Sequence, residues 1–191
     1  MTGYGGTGYG GTGSSGTGNG GPEAGLPGPA SRSRALAEAV IALLTDSGRT
    51  VAVAESLTGG LLAAALTDIP GASAAVRGGV VAYATDLKGS LLGVPAGLLA
   101  RHGAVHPDVA VAMATGVRQR LAADVGVATT GVAGPDPADG QPVGTVHIAV
   151  SSARRTVRRA LALPGDRQAV RAASVEQALG LLTGLLREES A

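Results

Sequence analysis

Apolar residues recur along the chain at two spacings, which alternate from residue 33 onward. Positions three or four residues apart predict helices, and short runs of small and β-branched residues predict buried strands. Helical spacing covers residues 33–47, 61–67, 107–122 and 165–186, with a broken helical region from Asp86 that Gly93 and Pro95 interrupt. Strand-like runs cover residues 50–54, 79–84, 125–130, 143–150 and 157–163.

The order of these elements predicts an α/β fold. Strands and helices alternate through most of the chain, which favours helices on both faces of a sheet. The last two strands flank Ser151 and Ser152 and are typical of an antiparallel hairpin. We therefore expect a three-layer α/β/α sandwich with a mixed β-sheet, formed by residues 31–191.

The first thirty residues differ in composition from the rest. Residues 1–21 are a Gly/Thr/Ser repeat without the basic start and apolar run of a signal peptide. Such a segment behaves as a flexible coil, so we expect residues 1–30 to be a disordered tail. No apolar run approaches the length that crosses a bilayer. We expect a cytoplasmic protein with no membrane partner.

Composition excludes several kinds of site. The chain has no cysteine, and therefore no disulfide and no thiolate metal ligand or nucleophile. The formal net charge is +1, and the one basic cluster has no interleaved aromatic residue for base stacking. That cluster, Arg154, Arg155, Arg158 and Arg159, fits a solvated strand face better than a nucleic-acid surface, so we expect no nucleic-acid partner.

One lysine stands among fifteen lysine and arginine residues. It is Lys88, and Tyr83 is the only tyrosine, phenylalanine or tryptophan beyond the first thirty residues. Arginine stays protonated, whereas a desolvated lysine can act as a base near neutral pH. Lys88 is therefore either an ordinary surface lysine or a base with something to activate.

A serine follows the first predicted strand, in the run from Glu55 to Gly60. Ligand sites in α/β folds lie at the carboxyl ends of strands, and the helix that follows offers free N–H groups. Ser56 or Thr58 could present a hydroxyl there, with Gly59 and Gly60 allowing close approach of a ligand. An ordinary N-cap followed by glycine is the simpler alternative.

Further candidates follow other predicted strands. Thr130 and Gly131 open a second glycine-rich loop, which could hold a phosphate or ribose or could be a plain turn. Arg167 and Arg171 lie four residues apart at a helix start, which suits either a phosphate or a surface pair. If the first two strands are neighbours, their ends bring Lys88 within reach of Ser56, a known pairing for amide hydrolysis.

The histidines give weaker evidence for a functional site. His102 and His106 are four residues apart, but Gly103 and Pro107 argue against a continuous helix between them, and no acidic third ligand is suitably spaced. A zinc site is therefore not expected. His147 alternates with apolar strand residues and fits a structural position.

In their order, several motifs together resemble the CinA C-terminal domain family, the nicotinamide-nucleotide amidohydrolases. The resemblance covers nearly all of residues 35–186. Its principal motifs are A-E-S-L-T-G-G-L-L-A at 54–63, L-T-D-I-P-G-A-S at 66–73, G-G-V-V-A-Y-A at 78–84, H-G-A-V at 102–105, T-G-V-A-G-P at 130–135, P-V-G-T-V at 142–146 and G-D-R-Q-A-V-R at 165–171.

The resemblance implies hydrolysis of the carboxamide of nicotinamide mononucleotide to nicotinate mononucleotide and ammonia. It implies Ser56 as nucleophile, Lys88 as base and Tyr83 as a supporting hydroxyl. The ligand pocket would be lined by Thr58, Gly59, Gly60, Thr130 and Gly131, with Arg167 and Arg171 at the phosphate. It implies no metal or organic cofactor and a small-molecule substrate. We also expect a homo-oligomer.

Two positions depart from the family pattern, and alternatives remain. Leu57 stands where the family usually has Cys, and His106 where it usually has Ser. Many relatives carry an additional N-terminal domain, and we expect this chain to be a stand-alone deamidase. A non-catalytic, competence-related nucleotide-binding module would use the same loops, and a related amidase would act on another amide.

Overall fold

The computed structural model describes residues 29–190 of the chain. These residues form six α-helices and five strands. In chain order they are α1 Pro29–Asp46, β1 Val51–Glu55, α2 Leu61–Thr67, β2 Val76–Val81, α3 Thr85–Leu92, α4 Ala96–His102, α5 Pro107–Arg120, β3 Val125–Gly131, β4 Thr145–Ser151, β5 Thr156–Ala162 and α6 Arg167–Ser190, with a short 3-10 helix Ala72–Ala74 between α2 and β2.

The five strands form one mixed sheet in the order β2-β1-β3-β4-β5. β1 lies between β2 and β3 and is parallel to both, whereas β3, β4 and β5 are antiparallel neighbours. The carboxyl ends of the three parallel strands therefore meet at one edge of the sheet, which is where ligands bind in such folds.

The two faces of the sheet differ in side-chain size. One face presents valine and isoleucine, such as Val53, Val127 and Ile148, to α1, α2 and α6. The other face presents Ala54 and Ala128 to α5. Since successive residues of a strand point to opposite faces, this alternation produces the three layers that the sequence predicts. The α/β/α fold is confirmed.

The small residues let α5 lie close to the sheet. A Cβ atom on Gly126 in β3 would lie 2.0 Å from the carbonyl oxygen of Ala114 in α5. Gly116 makes a similar approach to α3, where a Cβ would lie 1.9 Å from the carbonyl oxygen of Leu92. Neither position accepts a side chain, because the atoms in the way are backbone atoms. This packing fixes α3, which carries Lys88.

Several boundaries differ from those predicted. β2 runs from Val76 to Val81 rather than over residues 79–84, because Gly78 and Gly79 pair with β1 inside the strand. A Cβ on Gly79 would lie 2.7 Å from Val53 Cγ2, so this glycine belongs to the sheet. The predicted tail lies outside the described residues, except that Pro29 and Ala30 begin α1.

The four clustered arginines lie on or beside β5, the exposed edge strand. Each has a partner within the chain: Arg154 donates to the Glu189 carbonyl, Arg155 pairs with Glu188, Arg158 pairs with Asp108, and Arg159 donates to Gln177. These pairs fit the solvated strand face. Among the described residues, no helix is both long and apolar enough to cross a membrane.

Candidate active site

A cavity of about 250 Å³ opens where β1, β2 and β3 end. The residues that line it come from the turn after β1, the segment from Tyr83 into α3, the segment before α5, the end of β3 with the loop that follows, and the start of α6. They include Ser56, Leu57, Tyr83, Thr85, Lys88, Ala104, Val105, Thr130, Gly131, Gly134, Asp136, Asp139 and Arg167. The structure thus gathers residues from five separated segments at the edge of the sheet where a site is expected.

Ser56 and Lys88 meet at the inner end of this cavity. The Lys88 Nζ atom lies 3.1 Å from the Ser56 Oγ atom, across 32 positions of sequence. The contact follows from the parallel pairing of β1 with β2, since Ser56 follows one strand and α3 follows the other. Both side chains are buried, with only 1% of Lys88 exposed. The expected approach of Lys88 to Ser56 is therefore present.

Burial changes the acid–base properties of Lys88. Desolvation of its ammonium lowers the pKa of Lys88 from 10.5 to about 8, and the negative charges of Asp139 and Asp86 partly offset this fall. The ammonium also donates to the Ala82 carbonyl at 2.8 Å, which holds Nζ beside the serine. A lysine in this state can exchange a proton with a hydroxyl near neutral pH.

Tyr83 and Arg167 form a second pair, at the mouth. One guanidinium nitrogen of Arg167 donates to the Tyr83 hydroxyl at 2.8 Å, and another donates to the Gly134 carbonyl at 2.7 Å. More than half of Tyr83 is exposed, at 56%. Its hydroxyl therefore contacts Arg167, whereas its backbone carbonyl is the part that lies 3.5 Å from Lys88 Nζ.

Glu55 occupies the N-terminus of α2. Its buried carboxylate accepts hydrogen bonds from the N–H groups of Gly60, Leu62 and Ala63 at 2.8 to 3.0 Å. The N–H of Gly59 donates to the Ser56 carbonyl. The sequence predicts that Gly59 and Gly60 line the ligand pocket, but in the structure their N–H groups already have acceptors and neither residue lines this cavity.

Arg171 was expected at the phosphate of the ligand, but it has other partners. Its guanidinium donates to the carbonyls of Leu57 and Thr58 at 3.0 and 2.8 Å, and it does not line the cavity. The hydroxyl of Thr58 is buried against that of Thr129, at 2.8 Å. Arg171 and Thr58 therefore hold the turn after β1 from behind rather than contacting a ligand. Of the arginine pair, only Arg167 faces the cavity.

Thr130 and Gly131 line the cavity as expected. The hydroxyl of Thr130 donates to the Ala104 carbonyl at 2.8 Å, so it holds the segment before α5 against β3. A Cβ on Gly131 would lie 2.5 Å from the carbonyl oxygen of Thr145, which shows how closely β4 approaches the end of β3. Both residues shape the cavity wall.

Sequence reasoning gave no role to Glu55 or Asp139. Glu55 was the charged residue at the end of an apolar strand, a position that requires a partner when buried. Asp139 accepts from the Ala104 N–H at 2.6 Å and lies in a loop whose path no spacing rule predicts. The charge of Glu55 at the end of an apolar strand therefore indicated a buried group that needs a partner, whereas no sequence pattern indicated the position of Asp139.

The histidines lie near the cavity without forming part of it. The His102 and His106 rings stack with their centroids 4.1 Å apart, and His106 Nδ1 accepts from the Asp108 N–H at the start of α5. The pKa of buried His147 is lowered by desolvation and by the charges of His106 and Arg158. Within residues 29–190, no group of three or more His, Asp or Glu could hold a metal ion.

A family model described as the CinA C-terminal domain matches residues 33–186. The chain belongs to this family. Among curated relatives, a CinA-like protein of Frankia casuarinae is 55% identical over 163 residues, which are 85% of this chain and 37% of the relative. A putative competence-damage inducible protein of Desulforamulus reducens is 50% identical over 145 residues, 76% of this chain and 35% of the relative. The chain thus spans about a third of their length.

Solved structures of this superfamily have the same fold. Competence/damage inducible protein CihA of Agrobacterium tumefaciens has a TM-score of 0.78 and 39% identity, covering 84% of this chain and 97% of that one. A CinA superfamily protein of Klebsiella pneumoniae has a TM-score of 0.79 and 34% identity, covering 82% and 98%. The departures from the family pattern fit this fold, since Leu57 packs in the core beside α2 and His106 caps α5.

Proposed function

We propose that this CinA-family domain is a nicotinamide-nucleotide amidohydrolase that uses Ser56 as nucleophile and Lys88 as base. The observation that carries the proposal is the buried contact of 3.1 Å between Lys88 Nζ and Ser56 Oγ. It supports amide hydrolysis because a serine becomes nucleophilic only when a neighbouring group can accept its proton. The choice of nicotinamide mononucleotide as substrate rests on the family resemblance.

The first half of the reaction forms an acyl-enzyme. Neutral Lys88 takes the Ser56 proton as Oγ bonds to the carboxamide carbon, and the carbonyl electron pair moves to oxygen. When that pair returns, the carbon–nitrogen bond breaks and Lys88 gives the proton to the leaving nitrogen, which departs as ammonia. With a pKa of about 8, on the order of a tenth of the lysines are neutral at pH 7.

The second half regenerates the serine. Water attacks the acyl carbon and gives its proton to Lys88, and the bond between the carbon and Oγ breaks. Lys88 then returns the proton to Ser56, and the carboxylic acid product leaves. The exchange needs no further reactant, because one water supplies both the hydroxyl of the acid and the extra hydrogen of ammonia.

We assign stabilisation of the oxyanion to the turn after β1. The N–H of Ser56 donates to the Thr129 carbonyl in β3, those of Gly59 and Leu61 donate to carbonyls of the turn, and Glu55 accepts that of Gly60. Within the described part of the chain, the N–H group of Leu57, a residue that lines the cavity, remains for an oxyanion. An N–H directly after the nucleophile has this role in hydrolases with a serine at a strand-to-helix turn.

Arg167 and Tyr83 are suited to the phosphate end of the substrate. Arg167 lines the cavity mouth, and a guanidinium matches the geometry of phosphate oxygens. Tyr83 positions this guanidinium through its hydroxyl. We therefore propose that Tyr83 helps to bind the substrate at the cavity mouth and does not support the reaction of Ser56 with Lys88.

Ammonia release from nicotinamide mononucleotide tests the proposal. Ser56→Ala removes the nucleophile, Lys88→Met removes the amine at similar length, and Lys88→Arg keeps the charge without a usable base. We expect each change to lower kcat by at least about a thousandfold. Wild-type rates in any of these variants, with melting curves showing that it is folded, would disprove the mechanism.

The pH dependence provides a control on the role of Lys88. Activity requires the neutral amine, so kcat/KM should rise with pH and level off above the Lys88 pKa of about 8. Binding of nicotinamide mononucleotide without ammonia release would indicate a non-catalytic nucleotide-binding module. Ammonia release from other amides alone would indicate a different amidase.

A further inference from the structure

The charges that line the cavity are of both signs. Arg167 lies at the mouth and Lys88 at the inner end, and two carboxylates, Asp136 and Asp139, belong to the same wall. A substrate with only a negative phosphate would meet repulsion from these carboxylates. The arrangement instead suits a molecule that carries both a negative group and a positive group.

Asp139 is held in a fixed position. Its Oδ2 atom accepts from the Ala104 N–H at 2.6 Å. The carbonyl of Ala104 in turn accepts from the Thr130 hydroxyl, so Ala104 is itself held in place. Gly103 makes room for the carboxylate, because a Cβ there would lie 2.9 Å from Asp139 Cγ. The backbone of Asp139 is left-handed, with φ of 52°, a conformation that aspartate tolerates better than most residues.

We propose that Asp139 is a specificity-determining residue that recognises a positively charged ring, such as the pyridinium of a nicotinamide nucleotide. This inference rests on the proposed function, since it concerns the substrate of the same cavity. In that substrate the ring nitrogen carries the ribose and a positive charge, and the carboxamide that reacts is on the same ring. A carboxylate near the serine and lysine would therefore lie near the ring nitrogen.

Asp139 fits this role better than the two other nearby carboxylates. Asp136 lines the cavity, but within the described residues its carboxylate has no hydrogen bond that fixes its position. Asp86 acts on the charge of Lys88, as Asp139 does, but it lies in the first turn of α3 and does not line the cavity. Only Asp139 combines a fixed carboxylate, a place in the cavity wall and an electrostatic effect on Lys88.

The comparison between Asp139 and Asp86 gives a matched control. Asp139→Asn keeps an oxygen that can accept from Ala104 and removes the charge. Asp86→Asn removes a charge that also acts on Lys88 but lies outside the cavity. A general electrostatic role predicts the same result for both variants, whereas recognition of the ring predicts a result for Asp139→Asn alone.

Binding to two nucleotides that differ only in ring charge tests the inference. The probes are nicotinamide mononucleotide and its dihydropyridine form, whose ring is neutral, measured by calorimetry in the full chain carrying Ser56→Ala. We expect the charged ring to bind about tenfold more tightly, which corresponds to about 1.4 kcal/mol. Adding Asp139→Asn should reduce this ratio to about one, and adding Asp86→Asn should leave it near ten.

An unchanged ratio with Asp139→Asn would overturn the inference, as would an equal loss with Asp86→Asn. Asp139→Ser, which also keeps an oxygen acceptor, should remove the preference too and provides a second variant if the first does not fold. The proposed function is tested separately by ammonia release from the wild type. Activity without a ring-charge preference would refute the role of Asp139 alone, and a preference without activity would refute the hydrolase alone.

Discussion

The turns that follow β1 and β3 both contain glycines, yet they use their backbones differently. In the β1 turn, residues 56–60, the N–H of Gly60 donates to Glu55, and the carbonyls of Leu57 and Thr58 accept from Arg171. In the β3 loop, residues 132–144, the N–H of Val132 donates to the Thr145 carbonyl and the N–H of Gly144 donates to the Val132 carbonyl, while Gly134 and Asp139 line the cavity. The β1 turn is held by the side chains of Glu55 and Arg171 behind it, and the β3 loop forms part of the cavity wall.

This difference separates two requirements of a hydrolytic site. The position of a nucleophile relative to its base must be held to within about half an ångström, and the side chains behind the β1 turn hold Ser56 in that way. Substrate recognition needs charged and polar groups that face outward, which the β3 loop and Arg167 provide. Substitutions in the β1 turn should therefore act on stability and kcat, and those facing the cavity should act on binding.

The largest effect on stability is expected at Glu55. Glu55→Gln replaces one acceptor oxygen with an NH2 group that faces the N–H groups of α2. A buried N–H then loses its acceptor, so the free energy of unfolding should fall by about 3 kcal/mol. Urea denaturation followed by circular dichroism measures this change.

A carboxylate elsewhere controls for loss of charge. Glu38 forms an exposed pair with Arg34 one turn away in α1, at 3.0 Å. Glu38→Gln should change the free energy of unfolding by less than about 0.5 kcal/mol. Equal losses of stability at Glu55 and Glu38 would show that the hydrogen bonds of Glu55 to the start of α2 contribute no more than an exposed ion pair does.

A smaller loss of stability is expected at Gly131, where the β3 loop begins. Gly131→Ala puts a Cβ 2.5 Å from the Thr145 carbonyl oxygen, so β4 must move away from β3. We expect the free energy of unfolding to fall by about 2 kcal/mol. Gly184 in α6 has open space around it, and Gly184→Ala should stabilise by up to about 1 kcal/mol. Destabilisation by both changes alike would contradict the close approach at Gly131.

Much of this arrangement could be predicted from sequence because it depends on local spacing. Apolar periodicity identified the five strands and most of the helices, and the sequence predicted that Lys88 would reach Ser56 if the first two strands were neighbours, which they are. The 3-10 helix Ala72–Ala74 was not predicted, because three residues carry too little periodicity. The shift of β2 came from glycines that weaken the strand signal while allowing β1 to approach.

The parts that could not be predicted depend on contacts over long distances in sequence. Arg171 contacts Leu57 across 114 positions, and nothing in the spacing of Arg167 and Arg171 indicates that their guanidinium groups have different partners. The role of the α2 amide groups depended on Glu55, whose carboxylate competes with any ligand for them. A free helix N-terminus cannot be inferred from glycines alone, since a neighbouring acid can occupy it.

The two arginines of α6 give the last test of the difference between the turns. Lysine cannot bridge the carbonyls of Leu57 and Thr58, so Arg171→Lys should lower kcat severalfold and the free energy of unfolding by about 1 kcal/mol, with KM unchanged. Arg167→Lys loses the fork that suits phosphate, so KM for nicotinamide mononucleotide should rise about tenfold with little change in stability. Steady-state ammonia release and urea denaturation measure both variants. A rise in KM for Arg171→Lys alone would mean that the phosphate binds behind the β1 turn, because only a ligand contact at that guanidinium would weaken binding while the serine stays in place.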